Sequence, residues 1–226
     1  MKIEGSVAIV TGGNRGFGRH LVTQLIERGA KVYAAARRPE TVDVPGAVPL
    51  RLDITDPASI REAAAVATDA TLLINNAGIS TKSSLIDGDV ENARREMDTH
   101  YFGTLGVIRA FAPIIEANGG GTILNVLSVL SWVHIPASGA YSAAKAAEWA
   151  MTNAVRQELA PKGIHVAGLH VGYMDTDMTS GITADKSDPA VIAAFALDEL
   201  AGGSAEIIAD ELSRNVKQNL AAPITG

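Results

Sequence analysis

Short apolar runs alternate with longer amphipathic stretches along most of the chain. The runs are rich in Val, Ile, Leu and Ala and have the length of β-strands. Seven of them predict strands, at 6–12, 31–37, 47–54, 71–78, 121–128, 164–171 and 205–209.

The stretches between these runs predict helices. A turn signal marks several of their ends, such as Gly29 after the first helix and Pro57 near the start of the second. The predicted helices cover 17–29, a segment from Pro57, about 89–118, about 140–160, about 189–201 and about 210–220. Strands that alternate with helices predict βαβ units and a parallel sheet. The first, fourth and fifth strands are almost wholly apolar, which indicates helices on both faces of the sheet.

The length of the chain predicts one globular domain, or at most one domain with a small appendage. The 226 residues are 47% apolar and 19% charged, so a large core is available. A net charge of −6 argues against a nucleic-acid partner. The chain has no cysteine, which excludes disulfides and thiolate nucleophiles, and its five histidines are too scattered to predict a metal site.

The sequence favours a protein without a membrane segment. The opening run 1–13 is too short for a signal peptide, and no uninterrupted apolar run reaches about 18 residues. We therefore expect a soluble cytoplasmic protein with no membrane partner.

A glycine-rich segment follows the first strand and opens the first helix. The segment TGGNRGFG (11–18) places glycines at 12, 16 and 18, with Asn14, Arg15 and Phe17 between them. Glycines allow a tight turn and close backbone approach, and a helix N-terminus attracts phosphate. The spacing differs from the commoner G-x-G-x-x-G pattern. Its position between strand and helix predicts a dinucleotide site.

The end of the second strand bears on which dinucleotide binds. In AAARRPE, Ala34, Ala35 and Ala36 occupy the positions where an acid would bind the ribose of NAD, and Arg37 and Arg38 follow. Arginines accept a 2′-phosphate, and Arg15 adds a third guanidinium. We predict NADP(H). Two alternatives stay open: these arginines are ordinary surface charges, or Glu40 approaches a ribose.

Tyr141 and Lys145 lie four residues apart in GAYSAAKAAEWA (139–150). On a helix this spacing brings both side chains to one face. The pair is either a proton-transfer device or an ordinary surface pair.

Together these motifs resemble the short-chain dehydrogenase/reductase family over nearly the whole chain. The matching segments are TGGNRGFG (11–18), Asp53, NNAG (75–78), Ser128, YSAAK (141–145) and GYMDTDM (172–178). The resemblance implies a Rossmann-type, doubly wound parallel sheet of about seven strands in a three-layer α/β/α sandwich, as a single domain over 1–226.

The resemblance also implies residue roles in cofactor binding. Asp53 and the backbone of Ile54 would contact adenine, and Asn75 would pack the sheet. Ala77 and Gly78 would touch the adenosine. Further on, Gly172, Met174 and Thr176 would approach the nicotinamide.

Three further residues match the family's catalytic set. Tyr141 would be the general acid in carbonyl reduction, with Lys145 lowering its pKa and holding the nicotinamide ribose. Ser128 would donate to the substrate oxygen. Ser131 and Ser138 are nearby hydroxyl alternatives without the family spacing.

Two positions depart from the family pattern. In DTHYFGT (98–104), His100 stands where the family has an asparagine that bends the helix and holds a water for proton relay. We hypothesise that His100 takes over this role, since histidine also donates and accepts. The alternative is a packed or surface histidine. Val171 replaces a proline, which leaves the path of the following loop open.

The remaining expectations concern substrate and assembly. The loop 173–188 is either a substrate lid or a solvated connection. Apolar candidates for the pocket walls suggest a small hydrophobic or aromatic carbonyl or alcohol; they are Val129, Leu130, Trp132, Val133, Tyr173 and Met178. Trp132 is equally compatible with a core or an interface position. The alanine-rich helix at 140–160 would allow close subunit contact, so we expect a homodimer or homotetramer.

The sequence therefore predicts an NADPH-dependent carbonyl reductase that also runs in reverse as an alcohol dehydrogenase. A non-catalytic NADP sensor or scaffold on the same fold is the alternative. An epimerase or dehydratase is disfavoured, because such enzymes usually need a larger substrate domain.

Overall fold

The computed structural model describes residues 2–222 and contains one parallel sheet. Every neighbouring pair of strands is parallel, in the order β3-β2-β1-β4-β5-β6-β7. The seven strands of this described part are β1 (Val7–Thr11), β2 (Lys31–Ala36), β3 (Val48–Arg51), β4 (Leu72–Asn75), β5 (Gly121–Val126), β6 (Ile164–His170) and β7 (Glu206–Ile208). The predicted doubly wound parallel sheet is confirmed.

Helices cover both faces of the sheet. Between residues 2 and 222 they are α1 (Gly16–Glu27), α2 (Pro57–Val66), α3 (Val90–Met97), α4 (Thr104–Ala117), α5 (Gly139–Leu159), α6 (Pro189–Gly202) and α7 (Glu211–Gln218). Each face of the sheet has its own hydrophobic core, and no buried residue among those described belongs to both. Helices α1 and α6 pack on one core, and α2, α4 and α5 pack on the other.

Strand β1 illustrates why its sequence is apolar throughout. Ala8 and Val10 pack into the core under α1 and α6, whereas Ile9 packs into the core under α2, α4 and α5. Alternate side chains of a strand point to opposite faces, so a strand covered on both sides needs no polar position.

The predicted helix at 89–118 differs from the observed one at its centre. A π-helical turn, Asp98–Gly103, joins α3 to α4. Gly103 approaches Ile54 so closely that an added Cβ would lie 3.0 Å from the carbonyl oxygens of Ile54 and Asp98. The wider turn brings His100 to the inside, where it is 1% exposed. Such π-turns often occur at functional sites.

The strand order reverses between β1 and β4, which places a crevice at their carboxyl ends. In open α/β sheets, ligands bind at this switch point. The residues that follow β1, β4 and β5 therefore lie at or beside this crevice. Among the helices of residues 2–222, none combines the length and apolar character needed to cross a bilayer.

Candidate active site

The glycine loop after β1 forms a backbone cradle. Gly12 and Gly16 have φ values of 67° and 51°, in the left-handed region. An added Cβ at Gly18 would overlap the carbonyl oxygen of Gly12. Only a residue without a side chain lets α1 start this close to the strand.

The N-terminus of α1 has no side-chain cap. Arg15 stands at its N-cap position and makes no capping hydrogen bond. By contrast, aspartates accept from the first turn of four other helices: Asp56, Asp89, Asp188 and Asp210. Free N–H groups and a positive helix end suit an anion. The cradle thus fits the pyrophosphate of a dinucleotide.

Two residues that the sequence motifs left without a role hold this cradle in place. The hydroxyl of Thr11 accepts from the backbone N–H groups of Asn76 and Ala77 at 2.9 and 3.0 Å. The Asn76 amide donates to the carbonyls of Thr11 and Gly12. These bonds end β4 at Asn75, three residues before the predicted end. Asn75 itself donates to the Asn125 side chain at 2.8 Å and so joins β4 to β5.

The tip of β2 borders the glycine loop. The N–H of Gly13 donates to the Ala35 carbonyl at 3.0 Å, and Asn14 donates to the Thr41 hydroxyl at 2.9 Å. Arg37 and Arg38 are exposed there, directly after buried Ala36. Arg15 is exposed too and lies 3.8 Å from Asp177. The tip of β2 is therefore followed by guanidinium groups and not by a carboxylate. A carboxylate at this position would repel the 2′-phosphate of NADP.

Asp53 follows β3, and its carboxylate accepts from the N–H and hydroxyl of Thr55 at 3.0 and 2.7 Å. Partial burial raises its pKa, but the Thr55 bonds and the Arg37 charge outweigh burial, so the net pKa is lowered. Asp53 therefore stays an ionised acceptor. The neighbouring Ile54 is buried.

Ser128, Tyr141 and Lys145 come together beyond the end of β5. The Ser128 hydroxyl accepts from the Leu130 N–H at 3.1 Å, and Ser131 accepts from the Ser128 N–H at 3.3 Å. Ser131 thus holds the turn of Ser128, and the two are not interchangeable. Lys145 is 5% exposed, and its Nζ donates to the Val126 carbonyl at 2.8 Å.

The sequence predicts that Lys145 lowers the pKa of Tyr141, but in the structure burial and other groups outweigh this effect. Burial raises the pKa of Tyr141; Lys145 and a hydrogen bond with Ser128 lower it, whereas Glu148 raises it, and the net pKa is above the ordinary value. Burial opposes the charge on Lys145, but Glu148 and Tyr141 outweigh it and raise the pKa of Lys145. The ammonium is therefore firmly charged beside the phenol.

His100 lies in the same group. Its ring meets the Tyr141 ring edge-on, with centroids 5.2 Å apart. An added Cβ at Gly78 would be 2.6 Å from the His100 ring. Gly78 therefore makes room for this histidine, a role beyond the predicted cofactor contact.

The loop after β6 is tied at both ends. Met174 and Ser187 form a parallel bridge, so the two ends of 173–188 meet. The carbonyl of Met174 accepts from the Thr179 hydroxyl, and the Gly172 N–H donates to Asp210 at 2.6 Å. Thr176 lies against Gly16 of the glycine loop. The loop thus reaches the cradle, but the Gly172 N–H is already engaged by protein.

The predicted pocket walls divide into two groups. Val129 and Leu130 are buried, and Trp132 stacks on His170 with ring centroids 3.7 Å apart. Val133 and Tyr173 are partly exposed, and Met178 is 44% exposed. No sequence motif pointed to His170 as part of the site. Its Nδ1 lies 3.1 Å from the Ser128 carbonyl oxygen, so it helps to hold the turn at Ser128.

Comparison with known proteins agrees with this geometry. The model of the family described as short chain dehydrogenase matches residues 6–187. An NADPH-dependent 1-acyldihydroxyacetone phosphate reductase of Schizosaccharomyces pombe is 36% identical over 189 residues, which cover 80% of this chain and 63% of that protein. The chain thus spans less than two thirds of that relative's length.

Two solved structures extend the comparison. A short chain dehydrogenase from Burkholderia cenocepacia in complex with NADP is 43% identical, with a TM-score of 0.94 over 98% of this chain and 95% of that one. A 3-ketoacyl-(acyl-carrier-protein) reductase from Brucella melitensis complexed with NADH is 25% identical, with a TM-score of 0.85 over 92% and 98%. The same architecture therefore occurs with either nicotinamide cofactor.

Proposed function

The chain belongs to the short-chain dehydrogenase family of oxidoreductases, and on that premise we propose that it is an NADPH-dependent carbonyl reductase that also oxidises alcohols in reverse. The observation that carries the proposal is the convergence of Ser128, Tyr141 and Lys145 beside a glycine cradle at the switch point of the sheet.

The chemistry divides between cofactor and protein. Bound NADPH supplies a hydride to the carbonyl carbon. The Tyr141 hydroxyl donates a proton to the carbonyl oxygen, because its raised pKa keeps it protonated at neutral pH. Ser128 donates a second hydrogen bond to that oxygen and spreads its developing charge. In alcohol oxidation the same proton returns to Tyr141.

Lys145 has an electrostatic role in this scheme. Its ammonium is held by the Val126 carbonyl and by Glu148, at 2.8 and 2.7 Å. This positive charge stabilises the phenolate that Tyr141 becomes, until Tyr141 is reprotonated. The family resemblance adds a contact with the nicotinamide ribose.

NADPH is favoured over NADH by the charges at the tip of β2. Exposed Arg37 and Arg38 follow a strand end without a carboxylate, and guanidinium groups pair with a 2′-phosphate. The cradle residues Gly12, Asn14, Arg15, Gly16, Phe17 and Gly18 would hold the pyrophosphate. Asp53, Ile54, Ala77 and Gly78 would contact the adenosine, and Met174 and Thr176 the nicotinamide.

The substrate proposed is a small hydrophobic or aromatic carbonyl compound. Val133, Tyr173 and Met178 are the partly or fully exposed apolar side chains near the site that support it. The loop 173–188 would close over this substrate, and the protein would act as a homodimer or homotetramer.

The test is NADPH and NADH consumption with a panel of ketones and aldehydes. We expect turnover with apolar carbonyls and a lower KM for NADPH than for NADH. Equal or better use of NADH would overturn the cofactor assignment. Tight NADPH binding without turnover of any compound would favour the sensor alternative.

A further inference from the structure

Four ionisable side chains lie buried together beside Tyr141. Glu96, His100, Lys145 and Glu148 are each at most 5% exposed. Glu96 is in the last turn of α3, His100 is in the π-turn, and the other two are on α5. Burying four such groups is costly unless they satisfy one another.

Glu148 is the member that connects the others. Its Oε2 accepts from Lys145 Nζ at 2.7 Å and lies 3.8 Å from His100 Nδ1. Its Oε1 accepts from the Thr104 hydroxyl at 3.4 Å. One carboxylate thus fixes the catalytic lysine on one side and faces the histidine on the other.

The surroundings of His100 favour a proton on each ring nitrogen. Nε2 lies 2.9 Å from the Ile79 carbonyl and 3.2 Å from Glu96 Oε2, and Nδ1 faces Glu148. A neutral ring would point a lone pair at one of these acceptors. The Ile79 N–H lies 3.4 Å from Nε2, at the long end of hydrogen-bond distance. His100 Nδ1 and Glu96 Oε2 are two buried atoms without a hydrogen-bond partner. An imidazolium would direct an Nε2 proton at Glu96 Oε2, 3.2 Å away, and an Nδ1 proton toward Glu148, which at 3.8 Å is an ion-pair contact and not a hydrogen bond.

The charges of the buried group also favour a protonated His100. The carboxylates of Glu96 and Glu148 carry two negative charges against one on Lys145, so a proton on His100 makes the group neutral. Burial raises the pKa of Glu96, but His100 and Thr81 outweigh it and lower the net pKa, which keeps Glu96 ionised. Two further titratable side chains interact electrostatically with the group: Tyr141, on α5, and His170, on β6, whose pKa is lowered mainly by burial and slightly by the Lys145 charge.

We propose that Glu148 is a positioning and proton-relay residue, which holds Lys145 beside Tyr141 and passes to it a proton taken from His100. This inference rests on the function proposed above. The series of buried side chains continues from His100 through Glu96 to Thr81, which is partly exposed. The N–H and hydroxyl of Thr81 donate to Glu96 Oε1 at 2.6 and 2.8 Å.

The proton count closes at each step. After Tyr141 has given its proton to the substrate, the Lys145 ammonium donates one to the phenolate and becomes an amine. The carboxylate of Glu148 takes a proton from the His100 imidazolium as their gap shortens to hydrogen-bond distance, and donates it to the amine. The net transfer is one proton from His100 to Tyr141, and His100 regains it from solvent on the Thr81 side.

The decisive variant is Glu148→Gln, which keeps the shape and removes the charge. Because the Glu148 charge raises the pKa of Tyr141, its loss moves tyrosinate formation to lower pH. Ultraviolet difference titration of the protein without substrate or cofactor measures this, with Tyr141→Phe subtracting the other three of the four tyrosines. We also expect kcat to fall about tenfold or more, with NADPH affinity unchanged.

Controls separate this role from simple stabilisation. Glu158→Gln makes the same change at an exposed position of α5 and leaves both readouts at the wild-type values. Glu148→Asp keeps the negative charge but moves the carboxylate away from Lys145 by one methylene. We expect it to lower kcat, and it replaces Glu148→Gln as the test variant if the glutamine variant does not fold.

The outcomes are distinguishable. Wild-type kcat in either Glu148 variant, or an unshifted tyrosinate titration in Glu148→Gln, would overturn the relay. If the wild-type protein turns over no carbonyl compound, the proposed function fails, while the titration still shows whether Glu148 governs Tyr141.

Discussion

At the scale of single residues, one buried carboxylate opposes the effect of Lys145 on the pKa of Tyr141. Lys145 lowers the pKa of the phenol, as the four-residue spacing predicts, but Glu148 pairs with the ammonium and acts in the opposite direction. The Lys145 ammonium and the Glu148 carboxylate are 2.7 Å apart, so their opposite effects on the Tyr141 phenol partly cancel. The lysine therefore stabilises the phenolate less than an isolated ammonium would, and the proton supply behind it gains importance.

His100 tests the relay at its other end. His100→Phe removes both ring nitrogens from a buried position and should lower kcat about tenfold or more and change its pH dependence. His100→Asn keeps a side chain that donates and accepts hydrogen bonds but has no proton to transfer, so it should also lower kcat. Steady-state kinetics across pH measures both. Unchanged turnover of His100→Phe at every pH would remove His100 from the mechanism.

Gly18 tests the cradle. In Gly18→Ala the new Cβ overlaps the Gly12 carbonyl, so the loop must shift. We expect the free energy of unfolding to fall by about 1–3 kcal/mol and NADPH binding to weaken, as followed by urea denaturation and NADPH fluorescence. Gly202→Ala is the matched control, since its Cβ would meet nothing within 4 Å. Equal NADPH affinity in both variants would contradict the cradle.

At the scale of elements, the end of β6 supports the catalytic turn through an aromatic stack. His170 closes the strand, stacks on Trp132 and contacts the Ser128 carbonyl. Lys217 of α7 lies 4.8 Å above the Trp132 ring. This arrangement gives Trp132 a packing role within the chain, while the residue stays partly exposed.

The burial of His170 has a consequence for stability. Burial lowers its pKa from 6.5 to about 4, against smaller opposing effects of Ser128 and Glu206. The unfolded chain then takes up this proton first as pH falls. The contribution is fully present above about pH 6.5 and is lost toward pH 4, by about 3 kcal/mol at most.

Denaturant unfolding at pH 7 and pH 5 measures the effect. His170→Phe keeps an aromatic ring for the stack but cannot titrate, so its loss of stability between the two pH values should be smaller than that of wild type. The same substitution at exposed His134 is the control. An equal loss in wild type and His170→Phe would show that His170 does not control acid stability.

At the scale of the whole molecule, the alternation of apolar runs and helices was sufficient to predict the sheet, because a strand covered on both faces leaves a continuous apolar signature. The glycine loop and the Tyr141–Lys145 pair are local in sequence and were equally accessible. The buried group around Glu148 was not: the Lys145–Glu148 and Glu96–His100 spacings are local, but the meeting of His100 with Glu148 joins distant elements. The contact of His170 with Ser128 is likewise long-range. The π-turn that buries His100 depends on the approach of Gly103 to Ile54, which no local pattern records.

Tyr141 is proposed to protonate the carbonyl compound that NADPH reduces. The direct measurement is NADPH oxidation by wild type and Tyr141→Phe with the best substrate of the carbonyl panel, together with the NADPH dissociation constant of each. We expect kcat to fall by about 10²-fold or more with NADPH affinity unchanged, because phenylalanine keeps the ring and loses only the proton donor. Equal kcat in the two proteins would contradict the account.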